Sequence, residues 1–119
     1  MRSHTTQKKI TDLEEAGAVA YCYLGLFINP KTRDFFFLGN RIALGNREFL
    51  LMYGLLKQPE CVHTREKLLE ELDTSIHTRT VDATIKTIRS KLQKSAGTDV
   101  QVIIPVYKLG YRLWRRGDL

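Results

Sequence analysis

The chain has 119 residues, of which 43% are hydrophobic and 27% charged, and its formal net charge at pH 7 is +6. This length allows one domain with a short tail and excludes a large multidomain enzyme, and the composition is that of a folded globular protein. Apolar stretches such as residues 35–38 are far shorter than the ~20 residues that span a bilayer, and the N-terminus has no hydrophobic signal core, so we expect a cytoplasmic protein.

Residues 1–19 are polar, then rich in small side chains, and show no sustained hydrophobic period. We interpret them as a linker or an expression remnant, in which Thr11 and Glu14 are spaced to cap one helical turn. A single folded domain is predicted over residues 20–116, followed by a tail over residues 117–119.

Residues 21–44 are rich in aromatic and β-branched side chains. Turn-forming residues interrupt this segment at 29–31 and at 39–40. The pattern predicts about three short strands in a small antiparallel sheet.

Two short helices are predicted next. The first, residues 48–56, is dominated by apolar side chains, follows candidate capping residues at 45–46 and is stopped by Pro59. Thr64 is a good N-cap for the second, residues 65–72, whose leucines recur at helical spacing.

The third and longest helix is predicted over residues 79–94, between Thr78 and Gly97. With successive residues about 100° apart, its apolar side chains share one stripe, which we predict faces the core: Val81, Ile85, Ile88 and Leu92. The opposite side carries cations, hydroxyls and one small residue: Arg79, Ala83, Lys86, Thr87, Ser90 and Lys94. On the flanks lie Thr80, Thr84, Arg89 and Lys91. We expect Asp82 to stabilise the helix N-terminus or to pair with Arg79 or Lys86.

Two β-type runs, residues 100–106 and 111–114, enclose the turn at residues 107–110 and predict a C-terminal hairpin. Gly110 is expected to adopt a backbone angle that other residues resist. Three helices followed by a basic hairpin is the order of a winged helix, in which the second helix of a helix-turn-helix enters the major groove of DNA.

The positive charge is concentrated in the last third of the chain. Residues 78–116 hold nine basic and two acidic residues, a net +7, whereas the remainder is close to neutral. A one-sided basic field suits a polyanion such as nucleic acid or an anionic membrane surface. An amphipathic membrane anchor with exposed aromatic residues is missing, so we expect no membrane partner.

The sequence of residues 79–92, RTVDATIKTIRSKL, resembles the recognition-helix signature R-x-V-D-x-x-I-x-x-[LI]-R-x-K-L of OmpR/PhoB-type response-regulator effector domains. Residues 44–56 resemble the first helix of that family, residues 62–69 its second helix and residues 110–113 the end of its wing. The resemblance covers about residues 23–114, with four motifs in the order of the family.

This resemblance implies an α+β fold, a winged helix-turn-helix with an N-terminal antiparallel sheet of four strands, three helices and a C-terminal β-hairpin wing. It also implies a bacterial transcription-regulation module of a two-component system that binds double-stranded DNA in a sequence-specific manner. The implied partners are direct-repeat DNA sites, a second copy bound in tandem, and RNA polymerase. The acidic cluster and lysine of a receiver domain are absent from this sequence, so we expect an excised effector domain or a stand-alone regulator.

We predict that the third helix and the wing contact DNA through Arg79, Thr80, Ala83, Thr84, Lys86, Thr87, Arg89, Ser90, Lys108, Tyr111 and Arg112. The cations of the helix can pair with phosphates, and Lys86 can instead reach a guanine edge. The hydroxyls of Thr84, Thr87 and Ser90 can bond to bases or phosphates. Tyr111 either packs within the hairpin or donates its hydroxyl to a phosphate.

Two segments depart from the family pattern. The wing turn has Tyr107 and Lys108 where the family usually has arginine and glycine, and Pro105 stands where threonine is common. We expect Lys108 to substitute for the arginine in the minor groove. Residues 73–77 form a shorter loop than the one through which the family typically meets polymerase.

Other function classes are less compatible with the sequence. It has no phosphate-binding glycine loop, nucleophile elbow or paired-acid motif, so we predict no enzyme activity and no cofactor. His63 and Cys61 supply only two of the four ligands of a structural zinc, and we expect no metal. Cys22 and Cys61 are predicted to be buried, reduced thiols. The alternative function is a winged helix used for protein contacts or for non-specific nucleic-acid contacts.

Overall fold

The computed structural model describes residue 17 and residues 19–72, 77–97 and 100–119. The expected cap at Thr11 and Glu14 lies outside this part of the chain, as does most of the loop over residues 73–77. In chain order the elements are β1 (Tyr21–Tyr23), β2 (Leu26–Asn29), β3 (Asp34–Phe37), β4 (Asn40–Arg41), α1 (Asn46–Lys57), β5 (His63–Thr64), α2 (Arg65–Leu72), α3 (Arg79–Ala96), β6 (Ile103–Val106), β7 (Gly110–Leu113) and a 3-10 turn (Arg116–Asp118).

The N-terminal sheet is antiparallel, with strand order β1-β2-β3-β4. The prediction of about three strands was low by one, because β4 has only two residues and pairs with β3 directly after a tight turn. Side chains alternate across the sheet. Leu26 and Ile28 of β2 and Phe35 and Phe37 of β3 are buried beneath it, so one face of the sheet covers the core.

Helix α1 forms the centre of the core, since every residue from Phe49 to Leu56 is buried. It begins two residues earlier than predicted, and the Glu48 side chain accepts a 3.1 Å hydrogen bond from the backbone N–H of Gly45. Helix α2 has the predicted bounds. The predicted N-cap is also confirmed, because the Thr64 hydroxyl oxygen accepts a 3.1 Å hydrogen bond from the backbone N–H of Lys67.

Helix α3 lies against both other helices and extends two residues beyond its predicted end. Its predicted core stripe is confirmed, with at most 1% exposure for each member: Val81, Ile85, Ile88 and Leu92. The helix ends at Gly97, whose φ is 88° and whose backbone N–H donates to the carbonyl of Gln93.

The C-terminal hairpin belongs to a sheet of three strands, in the order β5-β7-β6. The additional strand β5 was not predicted, since two residues are too few to show a period. Gly110 is required here because a Cβ at this position would lie 2.0 Å from the carbonyl oxygen of His63. The close approach of β5 and the φ angle of +157° at Gly110 therefore both disfavour a side chain at this position.

The prediction of buried thiols was wrong, because Cys22 and Cys61 are free and exposed. Cys22 is the outward-facing residue of β1, whose alternation turns its neighbours Tyr21 and Tyr23 inward. Cys61 lies in the loop between α1 and β5. None of the described helices is long and apolar enough to cross a membrane.

Candidate nucleic-acid interface

One side of α3 is open to solvent along the whole helix. Five of the predicted contact residues are exposed there: Arg79, Ala83, Lys86, Thr87 and Ser90. The same stripe continues through exposed Gln93 and Lys94; Gln93 was not among the predicted residues, although its helical angle places it on this side. We call these seven residues the exposed α3 face. It presents three cations, two hydroxyls and an amide.

Two threonines predicted as contacts lie away from this face. Thr84 is 7% exposed, and its hydroxyl donates a 2.8 Å hydrogen bond to the backbone carbonyl of Thr80 one turn earlier. Thr80 itself is half-buried. Both Thr84 and the exposed Thr87, whose hydroxyl donates a 3.2 Å bond to the carbonyl of Ala83, bond back within the helix, so burial at the edge of the core stripe is what distinguishes Thr84.

Arg89 connects α3 to the hairpin. Its guanidinium donates two hydrogen bonds to the backbone carbonyl of Ile103 on β6, from Nε at 3.1 Å and from Nη2 at 2.6 Å. The same group lies 5.6 Å from the ring centroid of Tyr111. The structure thus places the guanidinium of Arg89 against the wing, and its predicted phosphate contact stays a prediction.

Tyr111 is 6% exposed and packs between α2 and α3. Its hydroxyl donates a 2.5 Å hydrogen bond to Oδ1 of Asp82, and that oxygen also accepts a 2.9 Å bond from Nε of Arg65. Of the two roles considered for Tyr111, this geometry matches packing within the domain. Burial, followed by the hydrogen bond to the Asp82 carboxylate, raises the pKa of Tyr111.

The partner of Asp82 differs from both predicted partners. Arg65, the first residue of α2, forms the ion pair, whereas Arg79 and Lys86 point into solvent on the exposed α3 face. The reason is the crossing of the two helices, which brings the start of α2 beside the first turn of α3. The acid thereby faces α2 and leaves the exposed α3 face positive.

Arg112 lies on the other side of β7 from Tyr111, as strand alternation requires. Its Nη1 atom donates to the carbonyl of Leu113 at 3.1 Å and to Oδ2 of Asp118 at 2.8 Å. The hydrogen bond from Arg112, followed by one from the backbone of Arg115, lowers the pKa of Asp118. Arg112 thus forms an ion pair with the predicted C-terminal tail, and its predicted contact with DNA stays a prediction.

The end of the hairpin projects freely. Lys108 is exposed as predicted, and its ammonium lies 5.3 Å from the ring centroid of Tyr107. Tyr107 is 85% exposed and Leu109 55%. Tyr107 was predicted only as a departure from the family pattern, and no role was predicted for Leu109.

No cluster of three or more metal-ligating side chains occurs among the residues that the structure describes. His63 is buried, and one of its ring nitrogens lies 3.0 Å from the backbone carbonyl of Gln58.

The model of the family "Transcriptional regulatory protein, C terminal" matches residues 39–113, which include all three helices and the hairpin. The chain belongs to this OmpR/PhoB-type family. The effector domain also matches curated relatives over part of their length. It is 36% identical over 77 residues to the transcriptional regulatory protein ResD of Bacillus subtilis strain 168, a match that covers 62% of this chain and 32% of ResD.

Solved structures agree with the fold of the effector domain. The DNA-binding domain of response regulator AdeR, in complex with an intercistronic region, aligns with a TM-score of 0.70 and 27% identity over 77% of this chain and 96% of that chain. The Klebsiella pneumoniae RstA DNA-binding domain, in complex with the RstA box, aligns with a TM-score of 0.64 and 26% identity over 79% and 95%. The predicted winged helix-turn-helix is therefore confirmed.

Proposed function

We propose that this effector domain binds double-stranded DNA in a sequence-specific manner, as a binding module of a transcriptional response regulator rather than an enzyme. The observation that carries the proposal is the exposed α3 face, where cations and short hydroxyl side chains lie together and the only acid of the helix is turned away. Such a surface matches phosphates and base edges in the major groove.

Three residues are assigned the central contacts. Lys86 lies in the middle of the exposed α3 face and reaches a phosphate or a guanine edge. Thr87 and Ser90 are short enough to let the helix backbone sit deep in the groove. The small side chain of Ala83 lets the helix approach the DNA closely. Arg79 and Lys94 contact phosphates at the two ends of the helix.

Five of the remaining predicted residues are buried or half-buried in the domain, and Lys108 is exposed. Arg89 and Tyr111 join α3 to the hairpin, and we assign them the positioning of the wing relative to α3. Thr80 and Thr84 belong to the inner side of α3, and Arg112 belongs to the back of the wing. Lys108 is the wing residue that we assign to DNA.

The wider assignment rests on the family. The chain spans about a third of the length of the curated relatives that it matches, and those relatives are transcriptional regulators. We propose that the domain acts in the cytoplasm, binds direct-repeat sites as a tandem pair and contacts RNA polymerase.

Fluorescence anisotropy tests the function. The protein is titrated against a randomised DNA duplex pool and a matched RNA duplex pool at two salt concentrations, and the bound DNA is sequenced. We expect enrichment of a direct-repeat motif and a loss of affinity as salt rises. Lys86→Ala should weaken binding by about tenfold.

Lys31→Ala is the matched control, because Lys31 is also exposed but lies in the turn between β2 and β3. It should bind as the wild type does. Salt-sensitive binding without enrichment would contradict sequence-specific recognition, and equal affinity for the RNA pool would contradict a B-form major-groove site. No binding would leave a protein-contact role.

A further inference from the structure

The end of the wing is an apolar projection. We call Tyr107, Lys108 and Leu109 the wing tip. These three residues form the whole connection between β6 and β7, since Val106 pairs with Gly110. A 2.9 Å hydrogen bond from the backbone N–H of Leu109 to the carbonyl of Val106 closes the turn. The two large side chains that flank the lysine are therefore held in solvent by a tight turn.

The backbone of the wing tip is strained at its centre. Lys108 has a φ of 61°, in the left-handed region that glycine adopts freely and that other side chains resist. The turn residues Leu24, Arg33 and Leu38 of the N-terminal sheet also have a positive φ, so this backbone angle reflects the tight turn. The turn places the Lys108 ammonium beside the face of the Tyr107 ring, so that a cation and an aromatic surface are presented together.

The wing tip is rigidly continuous with the exposed α3 face. Strand β7 lies between β5 and β6, and hydrogen bonds of Arg89 and Tyr111 join the hairpin directly to α3. A duplex seated on α3 would therefore meet a wing whose position is already set. This continuity, with the positive charge of Lys108, favours DNA over a protein surface as the partner of the wing tip.

We propose that the wing tip reads the deformability of DNA: Tyr107 and Leu109 wedge into the minor groove while Lys108 holds a flanking phosphate. This inference rests on the proposed DNA-binding function. Apolar side chains inserted between base steps partly unstack them and bend the duplex. Since pyrimidine–purine steps unstack most easily and A-tracts are stiff, the wing tip would select a flexible step without hydrogen bonds to the bases.

The test uses the duplex enriched from the randomised pool, labelled at both ends for fluorescence resonance energy transfer. Two versions carry either a pyrimidine–purine step or an A-tract beside the segment protected by α3. We expect the wild type to bend the flexible version and to bind it more tightly. Tyr107→Ala should lower that affinity by about tenfold and remove both the bend and the preference, and Leu109→Ala should act in the same direction.

Leu38→Ala is the matched control for Leu109→Ala, because Leu38 is 54% exposed but lies beside the N-terminal sheet. It should leave affinity and bending unchanged. Thermal melting of each variant confirms that the fold is retained.

Different failures have different meanings. Unchanged affinity and bending in Tyr107→Ala and Leu109→Ala would overturn the wing-tip proposal, leave the α3 interface standing and direct attention to a protein partner. A loss confined to Lys108→Gly would also overturn it, because the tip would then contact phosphates only. A wild type that binds neither duplex, nor the pool, would overturn both proposals.

Discussion

The hydroxyl of Tyr111 on β7 donates a 2.5 Å hydrogen bond to Oδ1 of Asp82 in the first turn of α3. Arg65 at the start of α2 donates to the same oxygen, and its guanidinium lies 5.2 Å from the Tyr111 ring centroid. The Asp82 carboxylate thus connects α2, α3 and the C-terminal hairpin.

Removal of the Tyr111 hydroxyl should loosen this connection. In Tyr111→Phe the aromatic ring still packs, but Asp82 loses one donor, and we expect a loss of about 1 kcal/mol in unfolding free energy. Chemical denaturation measures it. Tyr107→Phe is the control, because it also removes a phenol hydroxyl, but from a side chain that is 85% exposed. Equal losses of unfolding free energy in the two variants would contradict a specific role for the Tyr111 hydrogen bond.

Stability should fall at alkaline pH through Tyr111. Burial and the bond to Asp82 raise its pKa above the ordinary value of about 10, so the folded state holds the phenol proton more tightly than the unfolded chain does. This contribution is fully present below the unfolded pKa and is lost as pH rises through the folded pKa. Above about pH 10 the wild type should therefore lose stability more steeply than Tyr111→Phe. Denaturation midpoints at neutral and alkaline pH check this, and parallel profiles would refute it.

Gly110→Ala should be strongly destabilising. The added Cβ would lie 2.0 Å from the carbonyl oxygen of His63, so β5 and β7 would have to separate. We expect a cost of about 3 kcal/mol in unfolding free energy, measured by chemical denaturation. Gly117→Ala is the matched control, since no atom lies within 4 Å of the Cβ there; a similar cost at both glycines would show that the contact with β5 is not the cause.

Two threonines of α3 separate the surface role from the structural one. Thr87→Val removes a hydroxyl from the exposed α3 face and should weaken DNA binding about tenfold without a large change in stability. Thr84→Val removes a buried hydroxyl that donates to Thr80. It should cost about 1 kcal/mol of stability and leave DNA affinity nearly unchanged. Anisotropy titration measures the DNA affinity of both variants, and thermal melting measures their stability. If Thr84 were the DNA contact, Thr84→Val would lose more affinity than Thr87→Val.

Local pattern was enough to predict most elements. The period of α3 identified its buried stripe and most of its exposed face, and Thr64 marked the start of α2, because both signals depend on residues within a few positions of each other. Strand β5 escaped prediction since its two residues pair only with Gly110 and Tyr111, more than forty positions away.

The sequence by itself determined the family resemblance, the concentration of positive charge and the solvent-facing stripe of α3, all of which follow from composition and helical spacing. Only the tertiary structure decided where the side chains of Arg89, Tyr111 and Arg112 lie. By residue type each can contact DNA, and each finds a polar partner within the domain. The physical reason is that a polar side chain bonds to a partner that lies within hydrogen-bond distance in the folded protein. That distance depends on how elements far apart in the sequence pack together, and neighbouring residues do not set it.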